Sequence, residues 1–537
     1  MRRPLAPSWN FIPLILILCA VVMTFWQVSG MSYVLWDDDL LITDNEILRL
    51  PFAQALRASF LGYYNGDYMP ITLMSYWTEI KFAGYQSSVQ HLSNLLIHCI
   101  NVVLCWIWLN RLLPNKFAVV LSVLFFALHP LQVESVAWIS ERKGLLATTF
   151  YLASLLAFEQ RTKTLDRRFL WSGLYLWFYL LAVMTKANGV FLPIWVALSV
   201  CLLERRLIPK DWRLHLIASL LMLAAVFVRV SAYASAVPQL GTVMLTPERI
   251  VGWPKMILTS IGFYIHKFFV PTNLSIIYPS YFASGGWELE LAVGSVFAAL
   301  LSAVMWLRRR QDLIVWLMFL LLSLAPVMNL VPRINFVNDR YFYLPIIALG
   351  VMMGTFVTNV RALVAVAITA GSALAFASFH RTQVWHDNVS LWSDTVQKVP
   401  QSSLAFNNLG QAFQERGEIS QAITNFQKSL SLADSYLANL AINNLATIYS
   451  SKQYPEYLNL PLAKSLLEDG IAKVARPDDS LVLRYNLALV ELQMGDVPNG
   501  IKTLEDLRLK IGESSNQRYR FLLSRVIDLQ DKLRRLP

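Results

Sequence analysis

Long apolar runs separated by short polar gaps occupy roughly the first 380 positions. A helix needs about 17–25 apolar residues to cross a bilayer. The segment 251–270 contains Pro254, Lys255, His266 and Lys267, so we predict an interfacial or re-entrant helix there. The remaining runs predict eleven membrane spans, near 11–29, 91–110, 117–130, 144–160, 169–185, 189–203, 213–231, 289–307, 312–331, 341–358 and 362–379.

Beyond about Phe379 the pattern changes, and apolar residues recur at helical spacing between polar faces. The tripeptides Asn408-Leu409-Gly410, Asn444-Leu445-Ala446 and Asn486-Leu487-Ala488 recur at intervals of 36 and 42 residues. Helix pairs with a period near 34 residues are typical of tetratricopeptide (TPR) repeats, whose small residues permit close packing. The sequence therefore predicts an all-α protein, with a polytopic membrane domain over 1–380 and a soluble TPR-like α-solenoid over 381–537.

Composition supports a membrane protein over a large soluble enzyme. Hydrophobic residues make up 56% of the 537 positions, charged residues 15%, and the mean hydropathy is +0.46. Much of the net charge of +11 lies in loops between predicted spans, so we expect no nucleic-acid partner. The four cysteines lie in apolar runs without C-x-x-C spacing, which favours neither a disulfide framework nor a zinc site.

The positive-inside rule gives the orientation. With a cytoplasmic N-terminus and 251–270 left out of the count, the basic groups Arg2-Arg3, Arg205-Arg206 and Arg308–Arg310 fall in cytoplasmic loops. The same count predicts that loop 30–90, the His129–Lys143 loop, the Arg333–Arg340 loop and the repeat domain share the outer face.

Polar residues at the outer ends of the predicted spans are the candidates for chemistry. Charges at a bilayer edge are usually functional. Cations bind a phosphate and stabilise it as it leaves, and a carboxylate can take a proton from an acceptor hydroxyl. The candidates are Asp37, Asp38, Asp39, Asp67, His91, His98, His129, Glu134, Glu141, Arg142, Lys143, Lys186, Asn188, Arg333, Asp339, Arg340 and Tyr343.

Structural interpretations compete with each of these. The acidic triplet is also consistent with a solvated loop, and His91 and His98 with helix packing. Arg142 and Lys143 are also consistent with interfacial anchors, and Asp339 with pairing to Arg340.

Several motifs, in order along most of the chain, resemble the GT-C superfamily of membrane glycosyltransferases. In particular they resemble the transmembrane-and-TPR (TMTC-type) O-mannosyltransferases and their bacterial relatives. The motifs are Trp36-Asp37-Asp38-Asp39 with Asn45, Tyr68–Thr72, His91-x-x-Asn94-x-x-x-His98, Ala127–Pro130 leading to Glu134–Lys143, Lys186–Gly189, Asp339–Pro345, Trp385 and Leu391-Trp392.

The resemblance implies inverting transfer of a monosaccharide from a polyprenyl-phosphate donor to an acceptor outside the cytoplasm. It implies that Asp37 or Asp38 is the base, with Asp38 preferred. It implies that the donor phosphate and sugar are lined by His129, Glu134, Arg142, Lys143, Lys186 and Arg340. We further predict acceptor-side or supporting roles for Asp39, Asp67, His91, Asp339 and Tyr343. No cofactor is implied; the acidic triplet could bind a divalent cation, but no ligand spacing indicates one. Two departures from the pattern, Met69 and Ala187, stand where relatives often carry Arg and an acidic residue.

We therefore predict a protein O-glycosyltransferase of a bacterial inner membrane. Its active site and repeats would face the periplasm. The repeats would recruit exported polypeptides, and the lipid-linked donor would reach the site from the membrane. Two alternatives stay open. One is a GT-C transferase that modifies a lipid or a polysaccharide, and the other is a non-enzymatic membrane anchor for a TPR scaffold.

Overall fold

The chain is all-helical in a computed structural model. The structure describes residues 11–534 apart from 65, 165, 187–188, 205–210, 237–246, 279–285, 309–310, 329–334, 358, 434, 474–479 and 514–519. Within these residues there is no strand, and the only β-type pairing is an isolated bridge between Tyr64 and Asp67. The chain divides into two compact units, residues 1–390 and 391–537.

The helices of the first unit cover most of the predicted apolar runs. They are α1 (Ile12–Phe25), α2 (Phe52–Leu61), α3 (Pro70–Ala83), α4 (Ser87–Leu112), α5 (Lys116–Leu128), α6 (Val133–Ala137), α7 (Arg142–Lys163), α8 (Arg168–Val183), α9 (Leu192–Glu204), α10 (Trp212–Ala236), α11 (Pro247–Phe269), α12 (Glu288–Arg308), α13 (Gln311–Leu324), α14 (Ile346–Gly354) and α15 (Val360–Gln383). Short 3₁₀ or π turns occur at Trp26–Gly30, Asp39–Thr43, Glu46–Arg49, Pro130–Gln132, Ile139–Glu141, Ala325–Val327 and Asp339–Phe342.

Four helical segments of the described chain are long and apolar enough to cross a membrane, which makes this an integral membrane protein. They are Ile12–Gly30, Ser87–Leu112, Trp212–Ala232 and Val360–Gln383. A bent pair, Lys116–Leu128 with Pro130–Ala137, raises the number to five if it forms one span. The prediction of eleven spans stays a prediction, because several of the other runs form helices too short for this test, such as the 9-residue α14. All of segment 251–270 except Val270 lies in α11, a single helix that continues through Pro254.

Local sequence fixes the ends of α5. The Asn115 side chain accepts a hydrogen bond from the backbone N–H of Phe117 at 2.9 Å, which caps the helix start. The helix ends at His129-Pro130, where proline restricts the preceding residue and supplies no N–H. The chain bends by 51° between α5 and the following helical segment. This bend starts the His129–Lys143 motif.

The second unit consists of consecutive helices that pack on their chain neighbours. After α16 (Asn388–Lys398), which crosses the unit boundary, come α17 (Ser403–Glu415), α18 (Ile419–Leu432), α19 (Ser435–Ser450), α20 (Leu460–Lys473), α21 (Leu481–Gln493), α22 (Val497–Glu513) and α23 (Arg520–Arg534). Apolar clusters join α18 to α19, then α19 to α20 and α21, then α21 to α22 and α23. This continuous stacking is the packing that helical repeats use. Assignment to the TPR class stays a prediction.

The small residues of the recurring tripeptides lie at close helix contacts. A Cβ on Gly410 would lie 2.7 Å from the ring of Phe426, so α17 and α18 approach closely only because this residue has no side chain. Ala446 and Ala488 are buried at the later contacts.

Some residues of the sequence-based predictions lie outside the described residues. They are Arg2, Arg3, Ala187, Asn188, Arg205, Arg206, Arg309, Arg310 and Arg333.

Candidate functional site

The three aspartates of the acidic triplet have different environments. Asp37 is half-buried and adopts a positive φ of 66°, and no described residue makes a hydrogen bond or ion pair with its carboxylate. Asp38 is fully buried. Its Oδ2 accepts from the backbone N–H of Val34 at 3.0 Å, and its Oδ1 accepts from the backbone N–H and the hydroxyl of Ser140 at 3.0 and 2.5 Å. Asp39 starts the turn Asp39–Thr43 and is partly buried.

Burial has the largest influence on the pKa of Asp38. It raises the pKa of Asp38 from 3.8 to about 7, although the hydrogen bonds from Ser140 and Val34 oppose the rise. Burial also raises the pKa of Asp39. Asp38 therefore ties the first loop to the Ser140 turn, whereas the carboxylate of Asp37 is the accessible one.

Trp138 lies between the acidic loop and a group of cations. Its indole N–H donates to the backbone oxygen of Trp36 at 2.7 Å, and the two indole rings are 6.5 Å apart. Lys143 Nζ lies 5.8 Å and Arg340 Cζ 5.1 Å from the centre of the Trp138 ring. Such cation–π contacts are attractive and orient the cations. The residue before Asp37 and two cations thus meet at one side chain.

Charges of alternating sign extend from this group. Lys186 forms an ion pair with Glu141, and Arg340 forms one with Glu134, whose other oxygen accepts from the backbone N–H of Arg340 at 2.9 Å. Glu141 Oε2 lies 4.0 Å from Arg340 Nε. Burial lowers the pKa of Lys186, and the negative charge of Glu141 opposes this.

Lys143 differs from Lys186 and Arg340. It is partly exposed, and among the described residues it has no carboxylate within ion-pair distance. Gly144, the next residue, leaves room for the neighbouring pair. A Cβ there would lie 2.2 Å from Glu141 Oε1 and 3.4 Å from Lys186 Nζ. The group of Lys143, Lys186 and Arg340, which we call the cation cluster, is balanced by two carboxylates.

Arg142 points to different partners and is already neutralised. It is buried, pairs with Glu79 at 2.8 Å, donates to Asn94 Oδ1 at 2.9 Å and to the backbone oxygen of Gln90 at 3.0 Å, and lies 4.5 Å over the Tyr76 ring. These contacts join α3, α4 and α7. The geometry is that of a buried structural ion pair.

The predicted histidines and Tyr343 are buried among helices. His129 uses Nε2 with the backbone oxygen of Phe268 at 2.9 Å and accepts from the backbone N–H of Leu131 at its Nδ1. The His91 ring lies 3.3 Å from the backbone oxygen of Ser32. Tyr343 is hydrogen-bonded to His98 at 2.7 Å and to Asn101 at 3.2 Å. These contacts anchor the loops, and none of them joins the cation cluster.

Asp67 and Asp339 also have partners. Asp67 forms an ion pair with Arg229 of α10. Asp339 is buried and accepts from the hydroxyl of Tyr278 at 2.6 Å. Burial and the negative charge of Glu134 raise the pKa of Asp339. Arg340 pairs with Glu134, and the described residues show no ion pair between Arg340 and Asp339.

Sequence reasoning did not assign three residues that the structure places around the site. Trp138 lies within the recognised motif, but the sequence did not indicate its contact with Trp36. Glu79 is the single carboxylate of α3, which was the only signal of a buried partner for Arg142. Nothing in the sequence indicated that Gly144 leaves space for the Glu141–Lys186 pair. Within the described residues, no three His, Cys, Asp or Glu side chains are grouped to hold a metal ion, and metal independence stays a prediction.

The fold and site define an integral membrane protein in which one tryptophan, Trp138, joins the acidic loop to a cation cluster. The chain is similar to protein O-mannosyl-transferase TMTC3 of Homo sapiens, with 26% identity over 220 residues, 39% of this chain and 23% of the relative. It is similar to protein O-mannosyl-transferase F38B6.6 of Caenorhabditis elegans, with 22% identity over 449 residues, 79% of this chain and 63% of the relative. It is also similar to human TMTC1, with 20% identity over 445 residues, 71% of this chain and 49% of the relative.

These comparisons confirm the resemblance to TMTC-type protein O-mannosyltransferases. In each case the alignment covers less than two thirds of the relative's length. No family model matches the chain. Among solved structures, ArnT from Cupriavidus metallidurans bound to undecaprenyl phosphate aligns over 84% of this chain and 82% of its own, with 14% identity and a TM-score of 0.36.

Proposed function

We propose that the protein is an inverting glycosyltransferase that moves a monosaccharide from a polyprenyl-phosphate donor to serine or threonine hydroxyls of exported polypeptides. The observation that carries the proposal is that Trp138 contacts both Trp36, the residue before Asp37, and two cations of the cation cluster. The similarity to protein O-mannosyltransferases supports the same chemistry.

Asp37 is the base in this proposal. The acceptor oxygen attacks the anomeric carbon while Asp37 takes the hydroxyl proton. The bond between the anomeric carbon and the phosphate oxygen breaks, and polyprenyl phosphate leaves. Asp37 is preferred over Asp38, because Asp38 is buried and already accepts three hydrogen bonds. Asp38 then serves as a positioning residue for the loop.

The cation cluster holds the leaving phosphate. Lys143 is the cation free to bind it directly, since it is partly exposed and lacks a described carboxylate partner. Lys186 and Arg340 add positive charge from behind, and Glu141 and Glu134 hold them in place. Preformed charges of this kind stabilise a developing anion at no reorganisation cost.

A lipid-linked donor also needs an apolar groove near the site. A groove of about 520 Å³ lies between α1, α5 and α15, lined by residues such as Leu16, Leu124 and Phe376. It extends to Leu128, the residue before His129-Pro130. A polyprenyl chain in this groove would bring its phosphate end toward the motif.

The remaining parts of the proposal concern compartment and acceptor. The active site and the repeat domain, residues 381–537, face the periplasm of a bacterial inner membrane, and the repeats recruit the polypeptide acceptor. The basic residues between spans support this orientation.

The test uses purified full-length protein in lipid nanodiscs with radiolabelled polyprenyl-phosphate mannose and a pool of unfolded exported proteins. We expect label in protein, and about a 100-fold lower rate for Lys143→Met. Lys163→Met, at the other end of α7, is the matched control, because Lys163 is largely exposed and pairs with Glu159. Label recovered only in lipid or polysaccharide would indicate a different acceptor, and no transfer with any acceptor would favour a scaffold.

A further inference from the structure

A row of asparagine side chains crosses three helices of the second unit. Asn444 Nδ2 on α19 donates to Asn407 Oδ1 on α17 at 3.0 Å, and Asn486 Nδ2 on α21 donates to Asn443 Oδ1 on α19 at 2.5 Å. We call these four residues the asparagine row. Asn444 and Asn486 occupy the recurring position of the tripeptides, and Asn407 and Asn443 stand one residue before that position, so each bond joins the two positions across neighbouring repeats.

Some amide atoms of the asparagine row remain available for hydrogen bonds to a ligand. Asn443, Asn444 and Asn486 are partly exposed. Within the described residues, no hydrogen bond is made by Asn443 Nδ2, Asn444 Oδ1 or Asn486 Oδ1. These three atoms are also not fully buried. The row therefore presents one donor and two acceptors after its internal bonds are made.

The helices around the row carry few free charges. α19 contains no charged residue, and the only one in α17 is Glu415 at its last position. The two charged residues of α21 have partners on neighbouring helices: Arg484 pairs with Asp506, and Glu491 accepts from Thr503. The surface of the row is thus polar and close to neutral.

Aliphatic side chains lie one turn from the asparagines on the same helix faces. Leu404 precedes Asn407 by three positions, Leu440 precedes Asn444 by four, and Val482 precedes Asn486 by four. All three are at least partly exposed. The surface therefore alternates open amide atoms with short apolar patches.

We propose that the asparagine row binds the main chain of an extended polypeptide. An extended chain presents alternating N–H and C=O groups, which match the open acceptors and the open donor, and its side chains alternate in direction to meet the apolar patches. The low charge argues against a nucleic acid, whose binding depends on cations. This inference rests on the proposed polypeptide acceptor and gives the feature that recognises it, independent of acceptor sequence.

The experiment measures peptide binding without donor lipid, using full-length protein in nanodiscs. The probe is a fluorescent, unstructured Ser/Thr-rich peptide of roughly 8 residues, long enough to cross three helices, and its fully N-methylated counterpart. Asn443→Asp keeps the oxygen that accepts from Asn486, removes the open donor and adds one negative charge, which the control variant also adds. Asn425→Asp, on α18 with its amide bonded to the backbone oxygen of Gln421, is the matched control.

We expect N-methylation of the peptide, and the Asn443→Asp change, each to raise Kd about tenfold, while Asn425→Asp leaves it unchanged. Equal binding of both peptides to the unaltered protein would overturn the proposal without relying on any variant. So would an unchanged Kd for Asn443→Asp, or binding of a soluble mannan oligosaccharide in place of the peptide.

Failure of this inference is distinguishable from failure of the proposed function. Peptide binding is measured without donor lipid and sugar transfer is measured with it, so each assay gives its own result for the same protein. Binding that depends on the asparagine row, in a protein that transfers no sugar, would refute only the glycosyltransferase. Transfer to protein with no contribution of the row would refute only the peptide surface.

Discussion

Replacing Asp37 by asparagine separates chemistry from folding at the proposed base. The change is nearly isosteric, and it removes the negative charge and with it the ability to take a proton. Asp37 adopts a φ of 66°, a left-handed conformation that asparagine tolerates better than most residues. Its carboxylate has no described hydrogen-bond partner to lose. The backbone and the packing around the site should therefore stay as they are.

The expected magnitudes follow from this environment. Because the Asp37 carboxylate has no described partner to lose, we expect its replacement to alter the free energy of unfolding by less than about 0.5 kcal/mol. A positioned general base contributes about 10²–10⁴-fold to the rate, so transfer should fall by that factor, or about 3–5 kcal/mol in the activation free energy. The neighbouring change Asp38→Asn has the opposite profile. It leaves one buried N–H of Val34 or Ser140 facing an amide N–H, which costs about 1–3 kcal/mol of stability.

The assay is single-turnover transfer of labelled sugar in nanodiscs, run beside thermal unfolding followed by intrinsic fluorescence from the 17 tryptophans. Asp44→Asn is the control, since Asp44 is an exposed carboxylate of the same loop. We expect Asp37→Asn to lose transfer with an unchanged midpoint, and Asp44→Asn to change neither quantity.

One result would refute the reasoning about Asp37. If Asp37→Asn retained more than half of the transfer rate, while Asp38→Asn lost it at an unchanged unfolding midpoint, then the buried carboxylate would be the base. The hydrogen bonds from Ser140 and Val34 would in that case have to open before the acceptor binds.

Three further predictions concern stability and protonation. Gly144→Ala should lower the transfer rate, and it should reduce the free energy of unfolding by about 1–3 kcal/mol, because the added Cβ displaces Glu141. Thermal unfolding measures the loss of stability. Because burial raises the pKa of Asp38 from 3.8 to about 7, the folded state binds more protons between about pH 4 and 7, and stability falls as pH rises through that window. Unfolding midpoints across this range should fall less steeply for Asp38→Asn. Glu79→Ala leaves Arg142 buried without its ion pair, which should cost about 3–5 kcal/mol with little change in the KM for donor.

Each of these predictions has a matched control. Gly173→Ala on α8 adds a Cβ with nothing within 4 Å and should not destabilise. The pH series is compared with Asp44→Asn, which should follow the unaltered protein. Glu159→Ala breaks an ion pair with the largely exposed Lys163 and should cost at most about 1 kcal/mol. A Glu79→Ala protein of normal stability with a weakened donor KM would place Arg142 at the phosphate instead.

Sequence predicted the helical class and the site motifs better than it predicted individual roles. The apolar runs and the repeat spacing indicate helices, because both patterns depend on the chain alone. The motif residues Lys143, Lys186 and Arg340 do lie near one another. Arg142 shares its motif with Lys143 but pairs with Glu79, a residue 63 positions earlier, and no local pattern indicates that partner.

The sequence by itself determined where helices form and where they break, since apolar period, Asn115 and His129-Pro130 act on neighbouring residues. Tertiary structure alone decided which aspartate of the triplet is accessible, because that depends on the distant Ser140 donating to Asp38. It also decided which cations retain a free charge and which asparagines meet across helices. Burial and pairing are properties of residues far apart in the chain, and they become fixed only when the helices pack.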